Sequence, residues 1–480
     1  MNYSIITYIL GWVLMFESFF MALPCAVAAI YGEKEGYAFL IVGLICFALG
    51  FARTRKKPKN VVYFAREGFV TVALSWIVMS IFGALPFVIN GDISNFTDAL
   101  FETISGFTTT GASVLSDVEA LSHASLFWRS FTHWIGGMGV FVFLLAVLPM
   151  VGGYNMHLMR AESPGPSVGK LVPRMKDTAK ILYIIYFAMT VVEIILLLCA
   201  KMPLFDALTT SFGTAGTGGF GIKNASMRDY SLSIQMIVTV FMVLFGVNFN
   251  AYYVLLLGKH KGSIFKMEEV RWYLGIIVAC IAIITFNIAD VFGGFLKALP
   301  QASFQVASII TTTGFSTTDF DLWPQLSKTI LVVIMFIGAC AGSTGGGIKV
   351  SRIIILLKSV KQEMSYFVHP RSVKAIKMDG KALDKNTVRA VSAFLVTYVI
   401  IFGGSMFILA FDNLDMVTNF TAIAATFNNI GPGLELVGPT GNFGVFSPLA
   451  KYVLMFDMLA GRLELYPILL LFTPSVWRRS

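Results

Sequence analysis

Two short polar runs that end in glycine lie between long apolar stretches of this 480-residue chain. They are Thr108–Gly111 and Thr311–Gly314, and each consists of three threonines followed by a glycine. Irregular polar backbone cannot face hydrocarbon, because each unpaired N–H or C=O group costs several kcal/mol there. Backbone carbonyls and threonine hydroxyls can, however, replace the hydration shell of a monovalent cation, as in potassium channels. The two runs therefore predict an oxygen-lined path for a cation.

The same pattern recurs in two less regular copies, Gly216–Gly219 and Asn428–Gly431. Alignment on the closing glycine brings Asp98–Leu100 onto Asp206–Leu208, both of which read Asp-Ala-Leu. This agreement outside the runs indicates a true internal repeat. We call the four runs loops 1 to 4, and their residues are Thr108, Thr109, Thr110 and Gly111; Gly216, Thr217, Gly218 and Gly219; Thr311, Thr312, Thr313 and Gly314; and Asn428, Asn429, Ile430 and Gly431.

The composition places these loops in a membrane protein. The chain is 56% hydrophobic and 13% charged, with a mean hydropathy of +0.76, whereas soluble domains average about 45–50% apolar and about 25% charged residues. Its five cysteines are scattered singly, with no metal-binding or disulfide spacing. We therefore expect an all-α integral membrane protein with no covalent cofactor, and we exclude a soluble enzyme and a nucleic-acid-binding protein.

Each loop belongs to a unit consisting of an apolar helix, a re-entrant half-helix, the loop and an apolar return helix. A two-helix hairpin precedes the first unit, so that we expect about ten transmembrane helices around a central pore. The predicted division is a hairpin over 1–60 and pore repeats over 61–160, 161–262, 263–375 and 376–480. The return helices are predicted at Leu126–Val151, Leu232–Leu257, Ile330–Leu357 and Ala450–Phe472.

The distribution of basic residues predicts the orientation in the membrane. Most of the 36 lysines and arginines lie after the second helix, in the three linkers between units and at the C-terminus. The linkers, 152–180, 258–271 and 358–390, are short enough for the positive-inside rule to apply. Both termini are therefore expected in the cytoplasm, and the four loops near the outer face.

Two nucleotide-binding patterns have to be weighed against this interpretation. Gly216–Gly221 matches the G-x-G-x-x-G dinucleotide fingerprint, but no strand is expected before it. Gly165–Leu171 resembles part of a phosphate-binding loop, but it lacks Ser or Thr after the lysine. Neither pattern has the context that its chemistry requires.

The third return helix contains a glycine-rich stretch, Gly338–Gly347, with three consecutive glycines at its end. Each glycine costs a helix about 1 kcal/mol relative to alanine, so we expect the helix to break there. The break could form a flexible gating loop beneath loop 3, or it could allow close packing between helices. The gating interpretation is favoured because three successive glycines exceed what packing requires.

Arg462 is predicted near the middle of the last return helix, with Glu464 two residues further on. A charge at that depth normally faces a cavity or a partner. Residues two apart do not face each other on a helix, so each of the two needs its own partner. Arg462 is expected to project into the pore below the loops, and a buried ion pair is the alternative.

Other acidic residues lie in or near the apolar segments. Asp98, Glu102 and Asp206 accompany the half-helices and could attract cations, cap helices or make buried hydrogen bonds. Glu17 and Glu193 lie within predicted spans, where hydrogen bonds between helices are favoured over a proton relay.

The four loops, the glycine-rich third return helix and the Gly461–Glu464 segment together resemble the membrane subunit of bacterial Trk-type potassium uptake systems. This superfamily also contains the Ktr and plant high-affinity potassium transporters, and the leading hairpin favours the Trk branch. The resemblance implies gated potassium uptake across the bacterial inner membrane, with K⁺ held by the residues of loops 1 to 4. It also assigns gating to Gly338, Gly342, Gly345, Gly346, Gly347 and Arg462.

The resemblance further implies a homodimer that sits on a cytosolic ring of nucleotide-binding regulatory subunits. Residues Lys358 to Arg389 could dock that ring, or they could only contact anionic lipid. Glycine at position 111 favours potassium, since serine there accompanies sodium transport in plant relatives. A secondary cation transporter that couples protons or sodium through Glu17, Glu193 or Glu464 is the alternative function.

Overall fold

The computed structural model describes residues 1–58, 65–139, 175–257, 267–371 and 374–477. The chain begins with a hairpin of two long helices, α1 (Tyr3–Tyr31) and α2 (Gly36–Thr54). Helix α1 ends because Gly32 takes a left-handed conformation, with φ +72°. Gly11 and Gly50 allow the two helices to cross closely, since a Cβ on Gly50 would lie 2.6 Å from the carbonyl oxygen of Gly11.

The unit of outer helix, half-helix and return segment follows four times. In the first repeat these are α3 (Ala65–Asn90), α4 (Phe96–Phe107) and α5 (His123–Gly137). In the second they are α6 (Met175–Cys199), α7 (Leu204–Gly216), α8 (Leu232–Phe245) and α9 (Phe249–Leu257).

The third repeat contains α10 (Glu268–Asn287), α11 (Phe295–Ile310), α12 (Gln325–Ile337) and α13 (Val350–Val368). A two-stranded antiparallel hairpin, β1 (Lys377–Met378) with β2 (Lys381–Ala382), lies in the linker that follows. The fourth repeat contains α14 (Lys385–Leu409), α15 (Met416–Phe427), α16 (Pro448–Arg462), α17 (Tyr466–Leu471) and the short α18 (Pro474–Trp477).

Within the described ranges, six helices are long and apolar enough to cross a membrane, and these are α1, α2, α3, α6, α10 and α14. The pair α8 and α9 would make a seventh span, although it is bent by 92°. The predicted all-α membrane architecture is therefore confirmed. The six long helices are the leading hairpin and the outer helix of each repeat.

Three of the four return segments are interrupted in the described part of the chain. The second breaks between Phe245 and Phe249, the third between Ile337 and Val350, and the fourth between Arg462 and Tyr466. The first is described as far as Gly139, and the predicted remainder to Val151 lies outside the described residues. A break was expected in the third return segment alone. The breaks in the second and fourth segments lie beside loops 3 and 4, since a Cβ on Gly246 would lie 3.0 Å from Thr311 Cγ2 and one on Gly461 3.0 Å from Asn429 Oδ1.

The half-helices form the centre of the molecule. The last residues of α4 and α15 are buried, together with the loops that follow them except Gly111, which is half-buried. The aromatic rings of Phe107 and Phe427, the final residues of these two helices, have 0% and 1% of their surface exposed. The outer helices, by contrast, carry exposed apolar side chains such as Phe187, Phe286 and Phe407, as expected of surfaces that face lipid.

Candidate functional site

All four half-helices end in the same backbone conformation. The second residue of each loop takes left-handed dihedral angles, with φ between +54° and +60°. These residues are Thr109, Thr217, Thr312 and Asn429. Left-handed backbone is a strained conformation for a β-branched residue such as threonine. It recurs here at the equivalent position of every repeat, and it is followed two residues later by a glycine with positive φ.

Hydrogen bonds of the Schellman type stabilise this conformation. In loop 1, Thr109 N–H donates to Gly106 O (3.1 Å) and Thr110 N–H donates to Ser105 O (2.9 Å). The same two bonds close the half-helices before loops 2, 3 and 4, at 2.8 to 3.1 Å. These bonds satisfy the last N–H groups of each turn, so the loop backbone needs no other acceptor there.

The closing glycines bring the four loops into a ring. A Cβ on Gly111 would overlap the carbonyl oxygen of Gly218, one on Gly219 that of Thr313, and one on Gly314 that of Ile430. The circle closes at Gly431, whose Cβ would lie 2.9 Å from Thr110 O. Each closing glycine is therefore required because the residue before the glycine in the next loop presents its carbonyl there. The loops meet in the order 1, 2, 3, 4 and back to 1.

The threonine side chains differ in part from the expected ring of hydroxyls. Thr108 Oγ1 donates to Ile104 O (2.7 Å) and lies 2.8 Å from Thr110 Oγ1. Thr311 and Thr313 repeat this arrangement, with a bond of 2.6 Å to Ala307 O and a separation of 2.8 Å between the hydroxyls. The hydroxyls of Thr108 and Thr311 thus fasten loops 1 and 3 to their own half-helices.

Loop 4 replaces threonine by asparagine and keeps part of this pattern. Asn428 Nδ2 donates to Ala424 O (2.8 Å), the same bond that Thr108 and Thr311 make with hydroxyls. Asn429 Nδ2 donates to Thr110 Oγ1 (3.0 Å) and to Met458 O (2.9 Å), which ties loop 4 to loop 1 and to α16. Asparagine thus substitutes for threonine as a hydrogen-bond donor to the preceding helix turn.

The ring separates two cavities. The four closing glycines line one side together with the residues that follow them, in an open cavity of about 1090 Å³ that we call the outer cavity. On the other side, a cavity of about 790 Å³ is lined by Gly345–Gly347, Arg462 and Glu464, and we call it the inner cavity. A cation that passed between the cavities through the protein centre would have to pass the ring.

The predicted glycine-rich break forms a buried, irregular segment, Gly338–Lys349, which we call the inner loop. Three of its glycines have positive φ: Gly338, Gly342 and Gly347. Gly346 N–H donates to Thr312 Oγ1 (2.6 Å) and Gly347 N–H donates to Asn428 O (3.0 Å). The inner loop is therefore bonded directly to the inner side of loops 3 and 4.

The inner loop is also attached to the second repeat and to α10. Cys340 N–H donates to Gly246 O (3.1 Å), at the break of the second return segment. Glu269 Oε1 accepts from the N–H groups of Ala341 (2.7 Å) and Ser351 (3.1 Å). Lys349 Nζ donates to Gly345 O within the loop itself.

Arg462 is the last residue of α16, and the prediction that it lies in mid-helix is wrong. The helix ends there because Glu464 and Leu465 take left-handed conformations, with φ +60° and +67°. The guanidinium group donates to Thr344 O (2.8 Å), Gly137 O (2.8 Å) and Gly136 O (2.5 Å). Arg462 therefore lines the inner cavity and connects the inner loop to the first return segment.

Glu464 has its own partner, as expected from the spacing. Its carboxylate pairs with Arg352 of α13. Arg352 also lies over the ring of Phe394, 4.0 Å from its centroid. The pair joins the third and fourth repeats at the inner cavity.

The acidic residues of the half-helices make polar contacts within the protein. Asp98 pairs with Lys451 of α16 at 2.6 Å, and Asp206 accepts from Tyr230 Oη at 2.8 Å. Glu102 is buried and pairs with Arg129 of α5 at 2.6 Å. Only Glu102 is buried, whereas Asp98 and Asp206 make their contacts at half-buried positions.

Two important residues behind the loops were missed at the sequence level, Arg129 and His133. His133 is buried, with Nδ1 2.7 Å from Gly106 O, while its Nε2 accepts from Phe220 N–H (3.2 Å). The two contacts require a neutral imidazole with the proton on Nδ1. A polar residue on each successive turn of the predicted return helix, Arg129 and His133, was the available signal.

Glu17 and Glu193 are buried in α1 and α6. Within the described part of the chain, no carboxylate oxygen of either residue has a hydrogen-bond partner. Glu193 lies beside Thr214 of α7. The interhelical hydrogen bonds expected for Glu17 and Glu193 are therefore not found among the described residues.

The nucleotide-binding patterns find no support where they can be examined. Gly216–Gly221 follows α7, and no strand precedes it among the described residues. Gly165–Leu171 lies outside the described residues.

Four repeats within one chain, each contributing a re-entrant half-helix and a loop to one central ring, define a class of multi-pass membrane protein: a single-chain, four-repeat pore. The chain belongs to the TrkH family of cation transport proteins, whose family model matches residues 35–479.

Individual relatives agree over the full length. The chain is 39% identical to the Trk system potassium uptake protein TrkH of Salmonella typhimurium, and the match covers 100% of both chains. It is 34% identical to the Trk system potassium uptake protein TrkG of Escherichia coli, over 99% of this chain and 98% of that protein. The crystal structure of the potassium transporter TrkH from Vibrio parahaemolyticus matches with a TM-score of 0.89 at 36% identity, with 100% of both chains covered.

Proposed function

We propose that this chain takes up potassium across the bacterial inner membrane, and that loops 1 to 4 form its selectivity filter. The observation that carries the proposal is the closed circle in which each closing glycine lies against the carbonyl that precedes the glycine of the next loop. The family's relatives, which are named as potassium uptake proteins, support the choice of ion.

The geometry suits a cation that has lost its water. The four half-helices end at the ring, so their partly negative C-termini lie close to it and favour positive charge. The N–H groups of each turn are bonded within the half-helix, and the carbonyls of Thr110, Gly218, Thr313 and Ile430 each face the closing glycine of a neighbouring loop. Backbone carbonyls held in this way replace hydration at little cost in reorganisation. The K⁺ ligands would be the oxygens of loops 1 to 4, from Thr108 to Gly111 and at the equivalent positions.

The inner loop is proposed as the gate. It lies on the inner side of the ring, and its N–H groups bond to Thr312 and Asn428. Its irregular backbone, with positive φ at Gly338, Gly342 and Gly347, can change conformation without unfolding a helix. Arg462 would stabilise the closed state through its bond to Thr344 O.

The finer assignments extend the proposal. The hairpin would end near residue 60 and the repeats near residues 160, 262 and 375, with both termini in the cytoplasm. The family resemblance suggests a homodimer above a cytosolic ring of nucleotide-binding regulators. The exposed, basic surface that includes Lys361 and Lys381 would meet that ring or anionic lipid.

An ion-coupled transporter is the second candidate, and one observation favours it. Glu17 is buried, and its carboxylate has no hydrogen-bond partner in the described ranges. Such a group could carry a proton within the membrane. Uptake that requires a proton gradient, and that Glu17→Gln abolishes, would favour this mechanism.

The selective filter is tested by ion flux into proteoliposomes, with potassium and sodium measured in competition. Gly314→Ala should lower the ratio of potassium to sodium uptake, because the added Cβ overlaps the carbonyl of Ile430. Gly91→Ala is the matched control, since Gly91 has a φ of +80° but no atom within 4 Å of a Cβ. Equal flux of both ions in the parent protein, or an unchanged ratio in Gly314→Ala, would overturn the proposal.

A further inference from the structure

A buried ion pair, Glu102 with Arg129, lies directly behind the outer ends of loops 1 and 2. Glu102 is on half-helix α4 and Arg129 is on α5, with 1% and 2% of their surfaces exposed. Glu102 Oε1 accepts from Arg129 Nε (2.9 Å) and Nη2 (2.6 Å). A charge pair at this depth is stable only if its remaining polar atoms are also satisfied.

The carboxylate of Glu102 holds the chain that leaves loop 1. Ser113 Oγ, two residues after Gly111, donates to Oε1 (2.9 Å). Val114 N–H donates to Oε2 (3.0 Å). Ser113 also accepts on its carbonyl from Phe443 N–H (2.8 Å), so the same point of attachment reaches the segment after loop 4.

The guanidinium of Arg129 holds the chain that leaves loop 2. Its Nη1 donates to Gly221 O (3.2 Å), two residues after Gly219. Its central carbon lies 4.1 Å from the ring centroid of Phe220, which follows that glycine. The planar, branched guanidinium makes these contacts while bonding Glu102, which a single ammonium group cannot do.

Among the described residues, the other three repeats have no equivalent of this ion pair. The positions that align with Glu102 carry Thr210, Gln305 and Ala422. Gln305 makes a comparable but neutral contact, from Nε2 to Thr318 O at 3.5 Å. The ion pair of Glu102 with Arg129 is therefore specific to loops 1 and 2, in a ring whose four loops differ in sequence.

We propose that Glu102 and Arg129 are positioning residues for ion selectivity: they fix the spacing between loops 1 and 2, and with it the carbonyls of Thr110 and Gly218. The inference rests on the proposed filter and extends it to two residues that do not touch the ion. A buried hydrogen-bonded pair suits this task because it holds both partners in one geometry. Removing either partner leaves an uncompensated buried charge, and the surrounding loops then shift to accommodate that charge.

The test measures potassium and sodium uptake by proteoliposomes containing the full chain, over a range of concentrations. Glu102→Gln should lower the potassium-to-sodium uptake ratio by about 10-fold, or about 1.4 kcal/mol, and raise the half-saturating potassium concentration. Arg129→Lys should act in the same direction although it retains the charge. A merely structural role would lower maximal uptake of both ions equally and leave the ratio and the half-saturating concentration unchanged, and that result would overturn the inference.

Asp98→Asn is the matched control, because it breaks the ion pair of Asp98 with Lys451 on the same half-helix without touching a loop. Its uptake ratio should stay at the parent value, and a shift equal to that of Glu102→Gln would overturn the inference.

Arg129→Lys keeps the test decisive if Glu102→Gln fails to fold, as judged by gel filtration and thermal unfolding. Gly314→Ala in the same assay separates the two proposals. If Gly314→Ala lowers the potassium-to-sodium ratio while Glu102→Gln and Arg129→Lys keep the parent ratio, the positioning role alone is refuted. If the parent protein does not discriminate between potassium and sodium, the filter and the positioning role are refuted together.

Discussion

Arg462 Nη1 donates a hydrogen bond of 2.8 Å to the carbonyl oxygen of Thr344. The donor is the last residue of α16 in the fourth repeat, and the acceptor belongs to the inner loop of the third. The same guanidinium bonds to Gly136 and Gly137 of the first repeat. One side chain therefore connects three repeats on the inner side of the ring, where it can hold the inner loop in place.

Replacing Arg462 should release the inner loop. Arg462→Gln removes the charge and most of the donors that bond these carbonyls, and charge-assisted hydrogen bonds are the stronger kind. We expect potassium uptake to rise about tenfold, the effect of about 1.4 kcal/mol on the equilibrium between closed and open loop. Uptake into proteoliposomes is the measurement, and Arg271→Gln, at an exposed position on α10, is the control. Unchanged or reduced uptake by a folded Arg462→Gln protein would argue against a gating role.

Shortening the inner loop should increase flux and reduce selectivity together. Deletion of Gly345–Gly347 removes the residues that line the inner cavity and the N–H groups that bond Thr312 and Asn428. Since those bonds support the inner side of loops 3 and 4, sodium uptake should rise more than potassium uptake. Paired isotope flux for the two ions is the measurement. A deletion that leaves both fluxes unchanged would indicate that the stretch serves close packing.

Much of the fold followed from the sequence because apolar length and the repeat pattern are local signals. The second return segment begins at Leu232 and ends at Leu257, as predicted, although it is interrupted between these residues. The four loops were found because two of them are threonine runs that end in glycine, and the other two align with them on that glycine. The repeat indicated that the four loops face one another. The contacts that close the ring, such as that of Gly431 with Thr110, join residues far apart in the chain and appear only in the structure.

The breaks in the return segments could not be derived in the same way. The fourth segment breaks at Glu464 and Leu465, two residues with good helix propensity that take left-handed conformations. Tertiary contacts, here the pair of Glu464 with Arg352, override the local preference. The pair of Glu102 with Arg129 escaped prediction for a related reason, since its members lie on different helices and share no periodic spacing.

Two glycines allow return segments to pack closely against half-helices, and this packing can be tested by measuring the stability of alanine variants. A Cβ on Gly461 would lie 3.0 Å from the carbonyl carbon of Phe427, and one on Gly136 would overlap the carbonyl of Phe107. Gly461→Ala and Gly136→Ala should each destabilise the protein by about 1–3 kcal/mol through overpacking, measured as a lowered Tm. Gly275→Ala, in open space on α10, should instead be neutral or slightly stabilising. A Tm equal to that of this control would contradict the packing described.

The leading hairpin should dock in a pH-dependent manner. Partial burial raises the pKa of Glu33, but the N–H groups of His123 and Ala124 and the His123 ring lower it further, so the net pKa is below the ordinary value of 4.5. A carboxylate with a lowered pKa stabilises the fold above its unfolded pKa, and this contribution is lost as the pH falls through the folded value.

The Tm difference between the parent protein and Glu33→Gln should therefore be constant above about pH 6 and should shrink below about pH 4.5. Thermal unfolding across this pH range is the measurement, and Glu35→Gln, in the same turn between α1 and α2, is the control. A Tm difference that does not depend on pH would show that the charge of Glu33 is not what binds the N-terminus of α5.

The central claim is that the four loops form one ring of cation ligands, and the most direct test locates the ion. Crystals grown in rubidium, which substitutes for potassium, would show ordered ions by anomalous scattering. We predict peaks on the axis of the ring, within coordination distance of the carbonyl oxygens of Thr110, Gly218, Thr313 and Ile430. Ordered rubidium found only beside buried carboxylates such as Glu17 or Glu193, with none in the ring, would contradict the account.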